Sequence, residues 1–483
     1  PPSGISDMRP LVAGAAASVA VLASTAVVYL YRHRARYLPA VNEWQHAVEA
    51  VKDFASSMRL LEDIHPSFSR PLTLLLPILA RAQRVEDPPK AAAAGLSAEA
   101  RQAALSPEAL EMAGHILRFA CAAYGHALLA MFKLMPLRPP AAAAAQIEAT
   151  ATHQMAPDTT VGTRFSVRAE ALERWAISTY TGIADADLVS MKMANALADV
   201  VGDADCLRHF VAVNHSTSAI VLALRGTASV SDAIHDVVAY AEPFCGGSAH
   251  AGMARMARNV WAAAGPAVVE QLASNEGYGL VICGHSLGAG VAALLTLYLY
   301  EERAKRSSRS SAATHSPIPS QATRIRCFAF ACPPVYAPLS SAPPGSLDAV
   351  AAFVGGVDCV PTLSVAAGRL LFAQLHTLDG ALKDLSLAEM GWIAAGLAPL
   401  PAAATAAAAV EATALPPMPG APTLCIPTQA VVWIQLLPPD NELRLIACDP
   451  QRVAENGITL TSKMAISRSS HPALHTPLFT PRS

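Results

Sequence analysis

Charge is scarce in this sequence. Asp, Glu, Lys and Arg make up only 15% of its 483 residues, the formal net charge is -2, and no long basic stripe runs through the segments that read as folded. Without such a stripe there is no electrostatic footprint for a polyanion, and nucleic acid is not an expected partner. Aromatic residues are also few, at 6%, and the 53% hydrophobic fraction is swollen by alanine, which buries little surface per residue. Core and membrane segments therefore have to be located stretch by stretch. The nine cysteines form no CxxC pair and no Cys/His ligand spacing. Scattered and odd in number, they point to reduced thiols in a cytosol-like compartment rather than to a disulfide framework or a structural zinc site. There is no internal repeat and no EF-hand loop, so calcium dependence is not visible, and neither a metal nor an organic cofactor is expected.

What is present begins with one long uncharged run. From Pro10 to Tyr31, PLVAGAAASVAVLASTAVVYLY carries no charge over 22 residues, enough at helical rise to cross the hydrocarbon core of a bilayer. Arg32, His33, Arg34 and Arg36 follow at once. Such a flank stays cytoplasmic, which predicts a single-pass anchor over 1–36 with everything downstream facing the cytosol. A signal or transit sequence starting near Met8, with alanines supplying cleavage sites, is the competing reading and would direct the chain to an organelle. Residues 37–110 read as a helical juxtamembrane region and linker. Within them RPLTLLLPILARA is too short and proline-broken to span and reads as packed or interfacial, while Pro/Ala-rich 88–106 reads as linker. Ile116 to Met135 holds Arg118, His126 and Lys133, which favours a core-packing helix over a second span. A second Ala-rich linker is expected at 140–160.

Beyond that point the texture changes. Short apolar runs, HFVAV, AIVLAL, LVIC, RCFAFA and VAAFVGG, alternate with helical segments. This predicts an α/β domain over 111–483 with a mostly parallel sheet. Low-complexity insertions at 301–321 and 397–422 interrupt it, and neither carries enough large apolar surface to order itself.

The stretch GLVICGHSLGAGVAALLTLYLY, Gly279 to Tyr300, combines a buried-strand pattern, the turn Gly284-His285-Ser286-Leu287-Gly288 and a helix. G-x-S-x-G alone is a weak signal. Between strand and helix it becomes the pattern of a nucleophile elbow, with flanking glycines where a Cβ would collide, and Ser286 is the expected nucleophile. Its base and acid should follow in the order serine, acid, histidine. Asp358, just past the run VAAFVGG, lies where catalytic groups gather in open α/β sheets, whereas Asp348 precedes that run, at the opposite edge. His376, His471 and His475 follow. His376 comes before the apolar run AVVWIQLL that should intervene, and reads as a packed or capping residue. Spacing does not separate His471 from His475. Oxyanion donors are expected from the Leu287 N–H and from Thr227, in the turn Arg225-Gly226-Thr227 that follows AIVLAL.

With these pieces in place, the sequence resembles the class 3 (fungal-type) lipases, and within them the membrane-anchored sn-1-specific diacylglycerol lipases. The resemblance rests on FVAVNHSTSAIVLALRGTASVSDAIHD, AHAGM, GHSLGAGVAALL, CFAFACPPV and FVGGVDCVPTLS, in family order over most of 206–365. It implies an α/β-hydrolase fold, a Ser-Asp-His triad and hydrolysis of a glycerolipid ester, with Ser286 as nucleophile, Asp358 as acid, and Thr227 with Leu287 as oxyanion donors. Membrane lipid would be the substrate, with diacylglycerol favoured over a phospholipid or galactolipid; a catalytically silent scaffold of the same fold is the rival of another class. Two features depart from the family pattern. Ser462 and Met464, with one residue between them, lie where Ser-x-x-Met is expected, but the histidine arrives late and follows Ser470 rather than an aspartate; His471 is favoured over His475 because it lies nearer that landmark. Related diacylglycerol lipases also carry several spans, and one clear span is legible here.

Overall fold

The computed structural model describes residues 68–83, 95–131, 133–154, 161–193, 207–226, 241–308, 318–356, 358, 360–410, 423–437 and 442–455. Among them the strands are β1 Leu188–Lys192, β2 His209–Asn214, β3 Ala219–Leu224, β4 Ala241–Phe244, β5 Gly247–His250, β6 Gly279–His285, β7 Ile325–Phe330, β8 Tyr336–Ala337, β9 Val350–Gly355, β10 Val431–Leu437 and β11 Glu442–Cys448. The main sheet has the order β1-β2-β3-β6-β7-β9-β10-β11. Its centre, β3, β6, β7, β9 and β10, is parallel, and β1, β2 and β11 are antiparallel at the two edges. Strands β4, β5 and β8 make a small antiparallel sheet of their own.

The helices are α1 Leu72–Ala82, α2 Ala98–Ala104, α3 Pro107–Ala122, α4 Gly125–Met131, α5 Ala141–Gln154, α6 Val161–Thr181, α7 Ala251–Ser274, α8 Leu287–Ser308, α9 Val365–Ala381, α10 Leu387–Ala394, α11 Ala402–Ala408 and α12 Pro450–Glu455. They explain why the central runs lack polar alternation. Ile220, Leu222, Leu280 and Ile282 join a core with α7 and α8 on one face of the sheet. Their neighbours Val221, Ala223, Val281 and Cys283 join a second core with α3 and α6 on the other. Strands buried on both faces read as continuous apolar runs. Each fully buried leucine or isoleucine contributes about 1.5–3 kcal/mol, so these two cores hold the sheet rigid. This mostly parallel sheet, covered by helices, fits an α/β-hydrolase fold. The described cysteines are buried within it and form no disulfide with one another.

Four stretches expected to be linkers or unordered contain helices, among them the 301–321 insertion, into which α8 continues as far as Ser308. Ser97 caps α2 by accepting the Ala100 N–H at 3.1 Å. Helix α5 occupies 141–154 and packs Ile147 and Ala151 against Ala171 of α6. Alanine has the highest helix propensity of any residue, so an alanine tract becomes a helix wherever a cap or neighbour supports it. The stretch from Ile116 to Met135, expected as one helix, is two. Gly125 adopts φ +80°, and a Cβ there would lie 2.6 Å from the Glu173 carboxylate, so the chain breaks between α3 and α4. Within this stretch Arg118 donates to the Tyr180 carbonyl at 2.8 and 3.1 Å.

The segment after Asp358 builds a helical cluster. Leu75, Leu76, Ile78 and Leu79 of α1 pack against α9, α10 and α11, so RPLTLLLPILARA is a packed helix. Asp379 closes the cluster by accepting from the Ser69 and Arg70 amides and the Ser69 hydroxyl at 2.7–2.9 Å. Helix α11 lies inside the 397–422 insertion, against the expectation that this tract cannot order itself. Ala404 and Ala407 are fully buried, because their small side chains let helices approach closely, and Gln374 donates to the Ala408 and Val410 carbonyls at 3.1 Å. Replacing 397–410 by a Gly/Ser linker is therefore expected to lower the melting temperature by several degrees, as thermal melts of variant and wild type would read. No helix among the described residues is long and apolar enough to cross a membrane, and the expected span Pro10–Tyr31 lies outside the described residues.

Candidate active site

Every sharp feature of the turn after β6 follows from chain collisions. Ser286 has φ +57°, in the left-handed region that costs a non-glycine residue about 1 kcal/mol or more. Strand β6 enters from one side and α8 leaves on the other. The Ser286 N–H donates to the Phe330 carbonyl of β7 at 2.9 Å, and its own carbonyl accepts from Ala289 at 2.9 Å and Gly290 at 3.2 Å, starting the helix. The flanking glycines are obligatory. A Cβ at Gly284 would overlap the Gly288 backbone, and one at Gly288 would lie 2.6 Å from the Leu224 carbonyl oxygen and 2.7 Å from that of Arg225. Ser286 itself is only 7% exposed.

Leu287 is the first residue of α8, so its N–H has no acceptor within the helix and points with the positive end of the helix dipole. Across the β3–β6 pair, the strand that leads to the second expected donor ends at Leu224, followed by Arg225 and Gly226. Thr227 lies outside the described residues.

Asp358 follows β9. Gly356, at φ +58°, turns the chain, with its N–H donating to Ile434 at 2.7 Å and its carbonyl accepting from the Trp433 indole at 2.7 Å. The Asp358 carboxylate accepts the Val360 N–H at 2.9 Å. The residue is half-buried as a whole, but its carboxyl group lies inside, and burial pushes its pKa up to about 6 against the opposing pull of that one hydrogen bond. Helix α12 packs on the turn Val360–Thr362 beside it. His376 lies on α9, stacked on Phe68 at 4.6 Å between ring centres, as a packed side chain. His471 and His475 lie outside the described residues.

The raised pKa has a consequence for stability. A carboxyl that holds its proton more tightly in the folded chain than its ordinary 3.8 destabilises the fold when it ionises. The cost is absent below about pH 4, grows between 4 and 6, and is complete above that. Two units correspond to at most about 3 kcal/mol. Asp358→Asn should therefore be more stable than the wild type at pH 8 and close to it at pH 4, as read from denaturant midpoints at both values.

Sequence reasoning did not find the buried polar groups beneath the turn. The Tyr124 hydroxyl lies 2.8 Å from His285 Nδ1. Glu173 of α6 accepts the His126 N–H at 2.8 Å, and burial raises its pKa, with Arg225 and Arg208 pulling the other way. The available signal was Gly125, a break in an otherwise helical pattern.

Residues 221–367 match the family described as Lipase (class 3). Diacylglycerol lipase-beta of Mus musculus is 32% identical over 167 residues, covering 33% of this chain and 22% of the mouse protein. Diacylglycerol lipase-alpha of Homo sapiens is 30% identical over 169 residues, covering 32% of this chain and 14% of the human protein. The chain thus matches less than a quarter of the length of either relative. Among solved structures, the lipase from Rhizopus microsporus var. chinensis is 18% identical with a TM-score of 0.33, over 59% of this chain and 74% of that one. A mutant form of MDLA from Penicillium cyclopium is 17% identical with a TM-score of 0.35, over 74% of this chain and 91% of that one. Over 221–367, then, this chain is similar to the class 3 lipases.

Proposed function

We propose that this chain is a membrane-associated serine lipase that hydrolyses the sn-1 acyl ester of diacylglycerol to monoacylglycerol and a free fatty acid. The observation that carries this reading is the strained turn at Ser286, which lifts one hydroxyl above the carboxyl ends of a parallel sheet whose next strand but one leads to a buried aspartate. In the proposed reaction Ser286 Oγ attacks the ester carbonyl carbon as its proton passes to His471, with His475 as the alternative base. Asp358 orients the imidazole and stabilises the imidazolium. Helix α12, packed beside Asp358, starts the C-terminal chain near that carboxylate, which favours a base drawn from it. The tetrahedral oxyanion accepts the Leu287 and Thr227 N–H groups. The glycerol C–O bond then breaks, the imidazolium proton goes to the leaving oxygen, and water, deprotonated by the same histidine, releases the fatty acid from the acyl-enzyme.

Diacylglycerol is the favoured substrate because the curated relatives reported above are diacylglycerol lipases. Pro10–Tyr31 is proposed as the anchor that keeps the catalytic domain on the cytosolic face of the membrane holding its substrate. The test is a fluorophosphonate probe on full-length protein, combined with lipid profiling of membranes expressing wild type or Ser286→Ala. Wild type should be labelled, with diacylglycerol falling and monoacylglycerol rising. A folded wild type that is not labelled would sink the enzyme reading in favour of a silent scaffold, and depletion of phospholipid or galactolipid instead would overturn the substrate.

A further inference from the structure

The turn at Ser286 holds a conformation that an isolated chain would not keep, so something must over-determine it. Part of that support comes from outside the matched segment 221–367. Tyr124 sits in the break between α3 and α4, roughly a hundred residues before β3 ends. Its hydroxyl reaches His285 Nδ1 at 2.8 Å, and the two rings meet edge to face at 5.8 Å and 66°. His285 is the last residue of β6 and the immediate neighbour of Ser286.

A third group meets them there. A Cβ placed on Gly226 would overlap both the Tyr124 hydroxyl and the His285 carbonyl oxygen. The phenol, the backbone just before Ser286 and the end of the β3 turn therefore converge on one point, with only a hydrogen to spare. Tyr124 is half-buried as a whole, but its phenol lies inside, and desolvation pushes it well above the ordinary value and keeps it protonated. In that setting a hydrogen bond is not readily exchanged for one to water, and losing the hydroxyl takes this partner from the half-buried His285 ring.

We propose that Tyr124 is a positioning residue, whose hydroxyl locks His285 and through it sets the Ser286 turn against the Gly226 turn. The proposal rests on the reading of Ser286 as nucleophile. It makes the helices before the family match a working part of the active site, because Gly226 directly precedes Thr227, the proposed oxyanion donor. Since Tyr124 touches neither substrate nor Ser286 Oγ in this role, its loss should misplace the nucleophile without weakening ground-state binding. A displacement of a fraction of an ångström lowers the chemical step by about tenfold or more.

The test is kinetics on the full-length protein with Tyr124→Phe, His285→Gln, His285→Leu and the Tyr124→Phe/His285→Leu double variant, beside Ser286→Ala. Tyr124→Phe should lower kcat by about ten- to thirtyfold with KM within about twofold, and slow fluorophosphonate labelling by the same factor. The double variant should be no worse than the poorer single one, because both remove the same contact. His285→Gln, which can still pair with the phenol, should retain more activity than His285→Leu. Wild-type kcat in Tyr124→Phe, an effect confined to KM, or additive losses in the double variant would each overturn the proposal. If Tyr124→Phe fails to fold, the two His285 variants decide: equal activity overturns the positioning role, and higher activity for His285→Gln upholds it. Turnover surviving in Ser286→Ala would instead overturn the nucleophile reading, so the two failures are distinguishable.

Discussion

Ser286→Ala is expected to lower ester hydrolysis by about 10⁴-fold or more while leaving the protein folded. The size follows from removal of the attacking atom itself; what remains is the catalysis that oriented N–H donors and binding supply without a nucleophile. Folding should survive because the turn is held by its backbone, through the Ser286 N–H on Phe330 and the Ser286 carbonyl on Ala289 and Gly290, and alanine preserves all three bonds. The left-handed φ is no harder for alanine than for serine by more than a fraction of a kcal/mol. Melting temperature and fluorophosphonate labelling measured together check both halves: an unchanged melt with labelling abolished is the expected pair. Hydrolysis retained in this variant would remove Ser286 from the mechanism.

A loss of similar size is expected from His471→Ala, whereas His475→Ala should cost less than about tenfold. Triad members act as a unit, so deleting the base leaves Ser286 protonated at neutral pH and therefore inert. The buried Asp358 sharpens the contrast. Its charge is costly inside the protein, and in the proposed mechanism the imidazole set against it offsets that cost. Single-turnover acylation rates for the two variants separate them, and the opposite ranking would transfer the role to His475.

Much of the sheet was legible because burial on both faces leaves a direct mark on sequence. HFVAV, AIVLAL, LVIC, RCFAFA and VAAFVGG coincide with β2, β3, β6, β7 and β9, and AVVWIQLL with β10. The alanine tracts were misread for the opposite reason. In 141–154 and 402–408 what decides between coil and helix is whether a neighbour lies close enough to bury a methyl group, and composition does not carry that distance. Tyr124 was illegible for a related reason. Its partner is His285, 161 residues away, and nothing local marks a tyrosine that will meet it.

By itself, then, the sequence determined the parallel centre of the sheet, the turn at Ser286 and the position of Asp358 past a strand end, all from local pattern: apolar runs, glycine spacing and the order of residues along the chain. Only the tertiary structure decided that a phenol from the break between α3 and α4 meets His285 beside the Ser286 turn, that the Asp358 carboxyl is buried enough to reach a pKa of about 6, and that an alanine-rich insertion adds a helix to a helical cluster. The difference is physical. Periodicity and chain stereochemistry act over a few residues, whereas desolvation and buried hydrogen bonds depend on which distant segments arrive at the same place.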